Sequence, residues 1–299
     1  MITEKTPVAQ SLENVLRKAL KMQSGIIWGH QIILRLPHEE VGMIEKRDID
    51  GVKIACWMNS NAWKENNRTL VFIHGSGGDH TNWVYQYSVL KNEFNVLAVE
   101  LPGHGASEGK GEQIVSRYVE WMRKILDAYG VKKPVLIGHS LGAAISLTFA
   151  IQHGELLSGI VPVGGGVTMW VNPAIIDGLL KDPAPIIEMA AKLSLAKQNR
   201  DKFSPALFAG FSKANPVVMQ GDFSACNQLN LTDEIRKISI PVLILCGAED
   251  KMTPPENSQY LKDHIPGARM KLLENAGHFV MMENPEAFNQ ALKDFALSL

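Results

Sequence analysis

Residues 134–153 read PVLIGHSLGAAISLTFAIQH. Pro134–Ile137 is a short apolar run with the character of a buried strand. Leu141–Gln152 is helix-forming and rich in small residues. Between them stands Gly138-His139-Ser140-Leu141-Gly142, a G-x-S-x-G sequence in a strand–turn–helix setting. A turn this sharp predicts a strained backbone at Ser140, with the hydroxyl projecting above the sheet. Gly138 and Gly142 are expected where neighbouring backbone leaves no room for a side chain. The N-terminus of the helix that follows favours negative charge developing beside the serine.

On either side of this stretch the chain alternates short apolar strands with helices. Strands are predicted at 43–48, 52–58, 69–75, 95–103, 134–140, 158–165, 241–247 and 268–274. Several are unbroken apolar runs, as strands buried on both faces require, which predicts a parallel sheet covered by helices. Helices are predicted at 82–92, 112–129, 141–153, 256–264 and 285–298. The alternation indicates an α/β fold with right-handed crossovers. Residues 167–230 break the rhythm: no convincing strand, and Pro173, Pro183, Pro185, Pro205 and Pro216. This stretch is expected to be a helical cap inserted over the C-terminal edge of the sheet, where open α/β sheets bind ligands. The division expected is a preamble at 1–40, a core formed by 41–166 and 231–299, and the insertion at 167–230. In the preamble, residues 8–22 have helical apolar spacing and residues 26–36 are strongly apolar.

Composition narrows the classes. The 299 residues carry 30 Lys+Arg against 31 Asp+Glu, a formal net charge of -1, so no bulk field attracts nucleic acid or an acidic membrane. Hydrophobic residues at 45% supply a substantial core. Cys56, Cys226 and Cys246 are far apart in sequence, supporting neither a disulfide framework nor a zinc site; a reduced, cytoplasmic protein is expected. No signal peptide or apolar run long enough to span a membrane is visible. Oligomeric state is not legible.

A serine hydroxyl needs a general base at neutral pH. Of nine histidines, His278 sits just after the predicted strand 268–274, on the sheet edge that carries Ser140. His74, His104 and His139 read as loop-shaping residues. An acid is needed to orient the base. Asp250 follows the strand 241–247 and gives the order Ser…Asp…His; Glu249 and Glu100 are its competitors, and capping of a turn is the alternative role for Asp250. His74-Gly75-Ser76-Gly77-Gly78 follows the strand at 69–75, and its glycines allow close approach to a ligand. The N–H groups of Ser76 and Leu141 are the expected oxyanion donors. Asp79 is expected to cap the next helix.

HGSGG at 74–78, LPGHGAS at 101–107, GHSLG at 138–142, CGAEDKMTPP at 246–255 and AGHFVMMENPEAF at 276–288 together resemble the α/β-hydrolase superfamily, in its capped serine esterase-like branch. The resemblance covers about residues 41–299. It implies a mostly parallel eight-stranded sheet flanked by helices, with Ser140 as nucleophile, Asp250 as acid, His278 as base, and Ser76 and Leu141 as oxyanion donors. Substrate contacts are expected from His74, Gly75, Gly77 and His139 around the serine. Met169, Trp170 and Phe279 are expected to add apolar walls. Many relatives have Asp where Glu100 stands, a structural position. Similar enzymes that open carbon–halogen bonds or epoxides use Asp at the elbow, so Ser140 implies acyl transfer. The expected reaction is hydrolysis of esters with small to medium apolar acyl groups, without metal or organic cofactor. Carbon–carbon bond hydrolysis and ligand sensing without turnover are the alternatives.

Overall fold

The computed structural model describes residues 42–299. The preamble, including the helix expected at 8–22, lies outside the described residues. Eight strands form one sheet: β1 (Met43–Ile49), β2 (Val52–Met58), β3 (Thr69–Ile73), β4 (Asn95–Val99), β5 (Val135–His139), β6 (Gly159–Val163), β7 (Leu243–Gly247) and β8 (Arg269–Leu273). Their order is β1-β2-β4-β3-β5-β6-β7-β8. β1 and β2 pair antiparallel, as do β2 and β4, and every later pairing is parallel. The β1–β2 hairpin turns on Asp50-Gly51, both with positive φ (53° and 83°), the combination that matches the twist of a two-residue hairpin.

The central strands β3 to β7 are buried at every residue, which explains their unbroken apolar sequences. Alternate residues serve opposite faces. Val71, Ile73, Leu97, Val99, Leu136 and Ile160 pack with α2 (Val115–Ala128) and α3 (Leu141–His153). Leu70, Phe72, Val96, Ala98, Ile137 and Val161 pack with α1 (Val84–Leu90) and with the C-terminal helix Pro285–Leu297. α2 buries Tyr118, Val119, Met122, Ile125 and Leu126, and ends where Gly130 takes φ 65° and the Val131 N–H reaches back to Leu126 O. α3 is buried almost all round, with apolar and small side chains on every face. Asp79 does accept from the Thr81 N–H at 2.8 Å, but it caps a 3-10 turn at His80–Trp83 that precedes α1.

Between β6 and β7 lie four helices: α4 (Pro173–Lys181), α5 (Pro183–Leu193), α6 (Arg200–Phe211) and α7 (Pro216–Asn227). Three open on the prolines that interrupt the sequence pattern, with Pro in the first turn, where its missing N–H costs nothing. Asn172 and Asn215 cap α4 and α7 by accepting from Ala174 and Val217 N–H. After β7 come α8 (Pro255–His264), α9 (Val280–Glu283) and α10 (Pro285–Leu297). The four-residue α9 is not foreseen by the sequence pattern, being too short to show a period. The strands end two to four residues earlier than apolarity predicts at 74–75, 100–103 and 164–165. There the chain leaves the sheet to build the loops described next. Among the described residues no helix is long and apolar enough to cross a membrane.

Candidate active site

Ser140 stands at the N-cap of α3 with φ 54° and ψ -112°, a backbone region unfavourable for a residue with a Cβ. Its N–H is held by Val163 O at 2.9 Å. The two flanking glycines answer a steric demand. A Cβ on Gly138 would stand 1.9 Å from Gly142 O, and one on Gly142 would stand 2.3 Å from Ile73 O. The sharp turn therefore exists only with hydrogen at both positions.

The loop after β3 comes against this serine: a Cβ built on Gly75 would be 3.1 Å from Ser140 Cβ. The Gly75 carbonyl is held from two sides, by His74 Nδ1–H at 2.8 Å and by Gly78 N–H at 3.0 Å. In a trans peptide the N–H points opposite to the carbonyl, so both bonds aim the Ser76 N–H the other way. Among the described residues neither the Ser76 N–H nor the Leu141 N–H donates to a protein acceptor. His74 Nε2 accepts from the Leu101 N–H at 3.1 Å, which fixes the neutral tautomer carrying hydrogen on Nδ1. Burial, reinforced by neighbouring His104, pushes the His74 pKa down to about 4.

Asp250 and His278 come together as expected from their places after β7 and β8. His278 Nδ1–H donates to Asp250 Oδ2 at 2.8 Å, and the pair is buried, 2% and 3% exposed. Thr253 Oγ1 also donates to Oδ2 at 2.9 Å, while the Met252 and Thr253 N–H groups donate to Oδ1, both at 2.9 Å. The carboxylate thus shapes its own turn and orients the imidazole, leaving Nε2 with the free lone pair. Gly164, with φ 56°, brings the backbone after β6 against the pair; a Cβ there would be 3.1 Å from His278 Nδ1.

His278 and Ser140 line one cleft of about 380 Å³, open mouth included. Gly75, Ser76 and His139 line it beside them. Ala190 and Ser194 of the α5 region, Phe211 of α6, Met219 and Phe223 of α7, Met252 and Phe279 supply the walls. His139 Nε2–H donates to His278 O at 3.0 Å, tying the Ser140 turn to the His278 loop. Burial, with the neighbouring His278, holds the His139 pKa well below the usual histidine range. The segment after α5 docks on the same His278 loop. Ser194 O accepts from the His278 and Phe279 N–H groups. Glu283 accepts from the Gly277 and Ala196 N–H groups and from Asn199 Nδ2, at 2.8, 2.9 and 2.8 Å. Burial raises the Glu283 pKa against the pull of these three donors.

Several expected substrate contacts are not where the sequence puts them. Met169 is buried in the core beside α3, and Trp170 is 74% exposed; neither lines the cleft. An apolar residue in an insertion can face the core, the solvent or the ligand, and helix register decides which. His74 supports the Gly75–Ser76 peptide from behind, and Gly77 likewise lies outside the lining, its N–H turned to Asp222 Oδ2 at 3.0 Å. Gly75, His139 and Phe279 do line the cleft. The competitors of Asp250 are engaged elsewhere. Glu100 receives His80 Nδ1 and the Ala106 N–H, anchoring the loop after β4, and Glu249 receives Gln198 Nε2. Thr253, Ser194, Met252, Ala190 and Phe223 escape sequence reasoning. Only Thr253 carries a local signal, lying three residues after the acid.

The family profile described as the alpha/beta hydrolase fold matches residues 68–285, well over half of the chain. The chain is 26% identical over 259 residues to the dihydrolipoyllysine-residue acetyltransferase component of the acetoin cleaving system of Cupriavidus necator, covering 82% of this chain and 67% of that protein. It is 28% identical over 244 residues to protein ABHD8 of Mus musculus, covering 76% of this chain and only 55% of that protein's length. A solved thermophilic esterase superposes with a TM-score of 0.74 at 28% identity, covering 86% of this chain and 98% of that one. Strand order, elbow geometry and the matched span agree: the chain belongs to the α/β-hydrolase fold family.

Proposed function

We propose that this protein is a serine hydrolase that cleaves carboxylic esters of small to medium apolar acyl groups. The observation that carries the reading is the strained Ser140, facing one cleft with a histidine oriented by a buried carboxylate and next to two backbone N–H groups that lack an acceptor among the described residues. In the proposed reaction His278 Nε2 takes the proton of the Ser140 hydroxyl as its oxygen attacks the ester carbonyl. The Ser76 and Leu141 N–H groups bind the resulting oxyanion, together with the N-terminal end of α3. His278 then protonates the departing alcohol, and water repeats the sequence on the acyl-enzyme. Asp250 stabilises the imidazolium throughout. No step calls on a metal or an organic cofactor.

Phe211, Met219, Phe223 and Phe279 support an apolar acyl group. The insertion at 167–230 acts as a cap in this reading, since its helices supply most of the wall. The test is a fluorophosphonate probe followed by a p-nitrophenyl ester panel of increasing acyl length. Stoichiometric labelling at Ser140 and turnover favouring short to medium chains are expected. Absence of labelling would sink the enzyme reading. Labelling without ester turnover would transfer it to carbon–carbon bond hydrolysis or to ligand sensing.

A further inference from the structure

No part of the Asp222 side chain reaches solvent. It projects from α7, within the inserted segment, and accepts three hydrogen bonds. Tyr118 Oη donates to Oδ1 at 2.6 Å, His104 Nε2 donates to Oδ2 at 2.8 Å, and the Gly77 N–H donates to Oδ2 at 3.0 Å. The second nitrogen of His104, Nδ1, faces Pro102 O at 3.1 Å. A carbonyl oxygen and a carboxylate both accept, so both ring nitrogens are placed to donate, an arrangement that favours the imidazolium form of His104. Burial by itself would lower the His104 pKa; the charge and hydrogen bond of Asp222, with the Pro102 carbonyl, outweigh it and raise it. A carboxylate is costly inside a protein unless paired and fully hydrogen-bonded, and this one is both. The proposed ester chemistry gives it no step.

What it does hold is the loop beneath the reaction. Gly77 is the residue after Ser76 and adopts φ 64°. Its N–H fixes the Ser76–Gly77 peptide from the cap side, while His74 and Gly78 fix the Gly75–Ser76 peptide from the core side. Met219, one turn before Asp222 on α7, packs directly over Gly77 and lines the cleft. We propose that Asp222 is a positioning residue for the oxyanion hole: it lets α7 lock the loop that presents the Ser76 N–H, so the hole is complete only while this cap helix is docked. The inference rests on the serine esterase reading.

The test compares Asp222→Ala, Asp222→Asn and the parent. Each is titrated to completion with a fluorophosphonate, so that rates are expressed per competent serine. Losing the support of one oxyanion donor is expected to lower kcat of the Ala variant about 100-fold with KM within about threefold, since the hole acts on the transition state. Asn keeps an oxygen for the Gly77 N–H and should recover part of the loss. Affinity for a boronic acid, whose serine adduct places an oxygen in the hole, should fall by the same factor as kcat. If kcat per labelled serine stays within twofold of the parent while the melting temperature falls, Asp222 is structural and the proposal is overturned. Equal losses in the Ala and Asn variants, or a loss confined to KM, would also overturn it. Failure of the parent itself to label would overturn the esterase reading as well, which separates the two.

Discussion

Replacing Ser140 by glycine should stabilise the protein while abolishing its activity. The backbone at Ser140 has φ 54° and ψ -112°, where a Cβ costs of order 1–3 kcal/mol. Glycine at this position relieves that strain but widens the unfolded ensemble, at a cost of about 0.4–1 kcal/mol. Alanine is the proper reference, because Ser140→Ala removes the hydroxyl and retains the Cβ. At an ordinary site Ala→Gly destabilises by roughly 0.5–1 kcal/mol. Here the glycine variant should exceed the alanine variant by about 1 kcal/mol. In a chain of 299 residues that is a gain of about 1.5–2 °C in melting temperature. The assay is a pair of urea and thermal melts on the two variants, with a p-nitrophenyl ester assay showing that both are inactive. If Ser140→Gly proved less stable than Ser140→Ala, the strain argument for the elbow would be wrong. If Ser140→Ala retained activity within tenfold of the parent, the nucleophile assignment would go too.

Asp250→Asn should lower kcat by about 10⁴-fold; a loss under tenfold, or a greater loss from Glu100→Gln, would reassign the orienting acid. Glu283→Gln replaces an acceptor of three donors with a group that itself donates, leaving a buried donor unpaired at about 1–3 kcal/mol. Because those donors join the Ser194–Asn199 segment to the His278 loop, its melting temperature should fall, and an unchanged melt would refute this clamp. Stability should decrease as pH falls from 6.5 toward 4. Over that window the unfolded chain protonates His74 and His139 while the folded chain keeps them neutral. For His74, held at about 4, the loss is about 3 kcal/mol. His104, with its raised pKa, contributes stability that is complete below pH 6.5 and lost on the alkaline side, so it adds no slope here. The acid-side slope should be shallower in His74→Asn, and an unaltered slope would contradict the neutral assignment.

Much of this architecture is legible in one dimension, for identifiable reasons. A strand buried on both faces must be apolar throughout, so β3 to β7 announce themselves. An elbow that admits no Cβ at Gly138 and Gly142 leaves a G-x-S-x-G trace. Strand ends on one sheet edge bring Ser140, Asp250 and His278 near each other, so chain order alone suggests the set. The cleft wall is another matter. Met169, Trp170, Phe211 and Met219 look alike as letters. The first is consumed by the core, the second faces water and the last two face the serine.

The α/β alternation, the glycine-flanked turn at Ser140 and the proline-punctuated stretch between β6 and β7 can be read from the chain alone, because each follows from local sterics or the period of burial. How that stretch meets the sheet is settled in three dimensions. Asp222 stands 145 residues from the Gly77 N–H it receives, and Glu283 reaches back 87 residues to Ala196. Such contacts depend on the rotation and packing of whole helices over the sheet edge. No periodicity within either segment records them, since a carboxylate facing a buried partner and one facing water are written with the same letter.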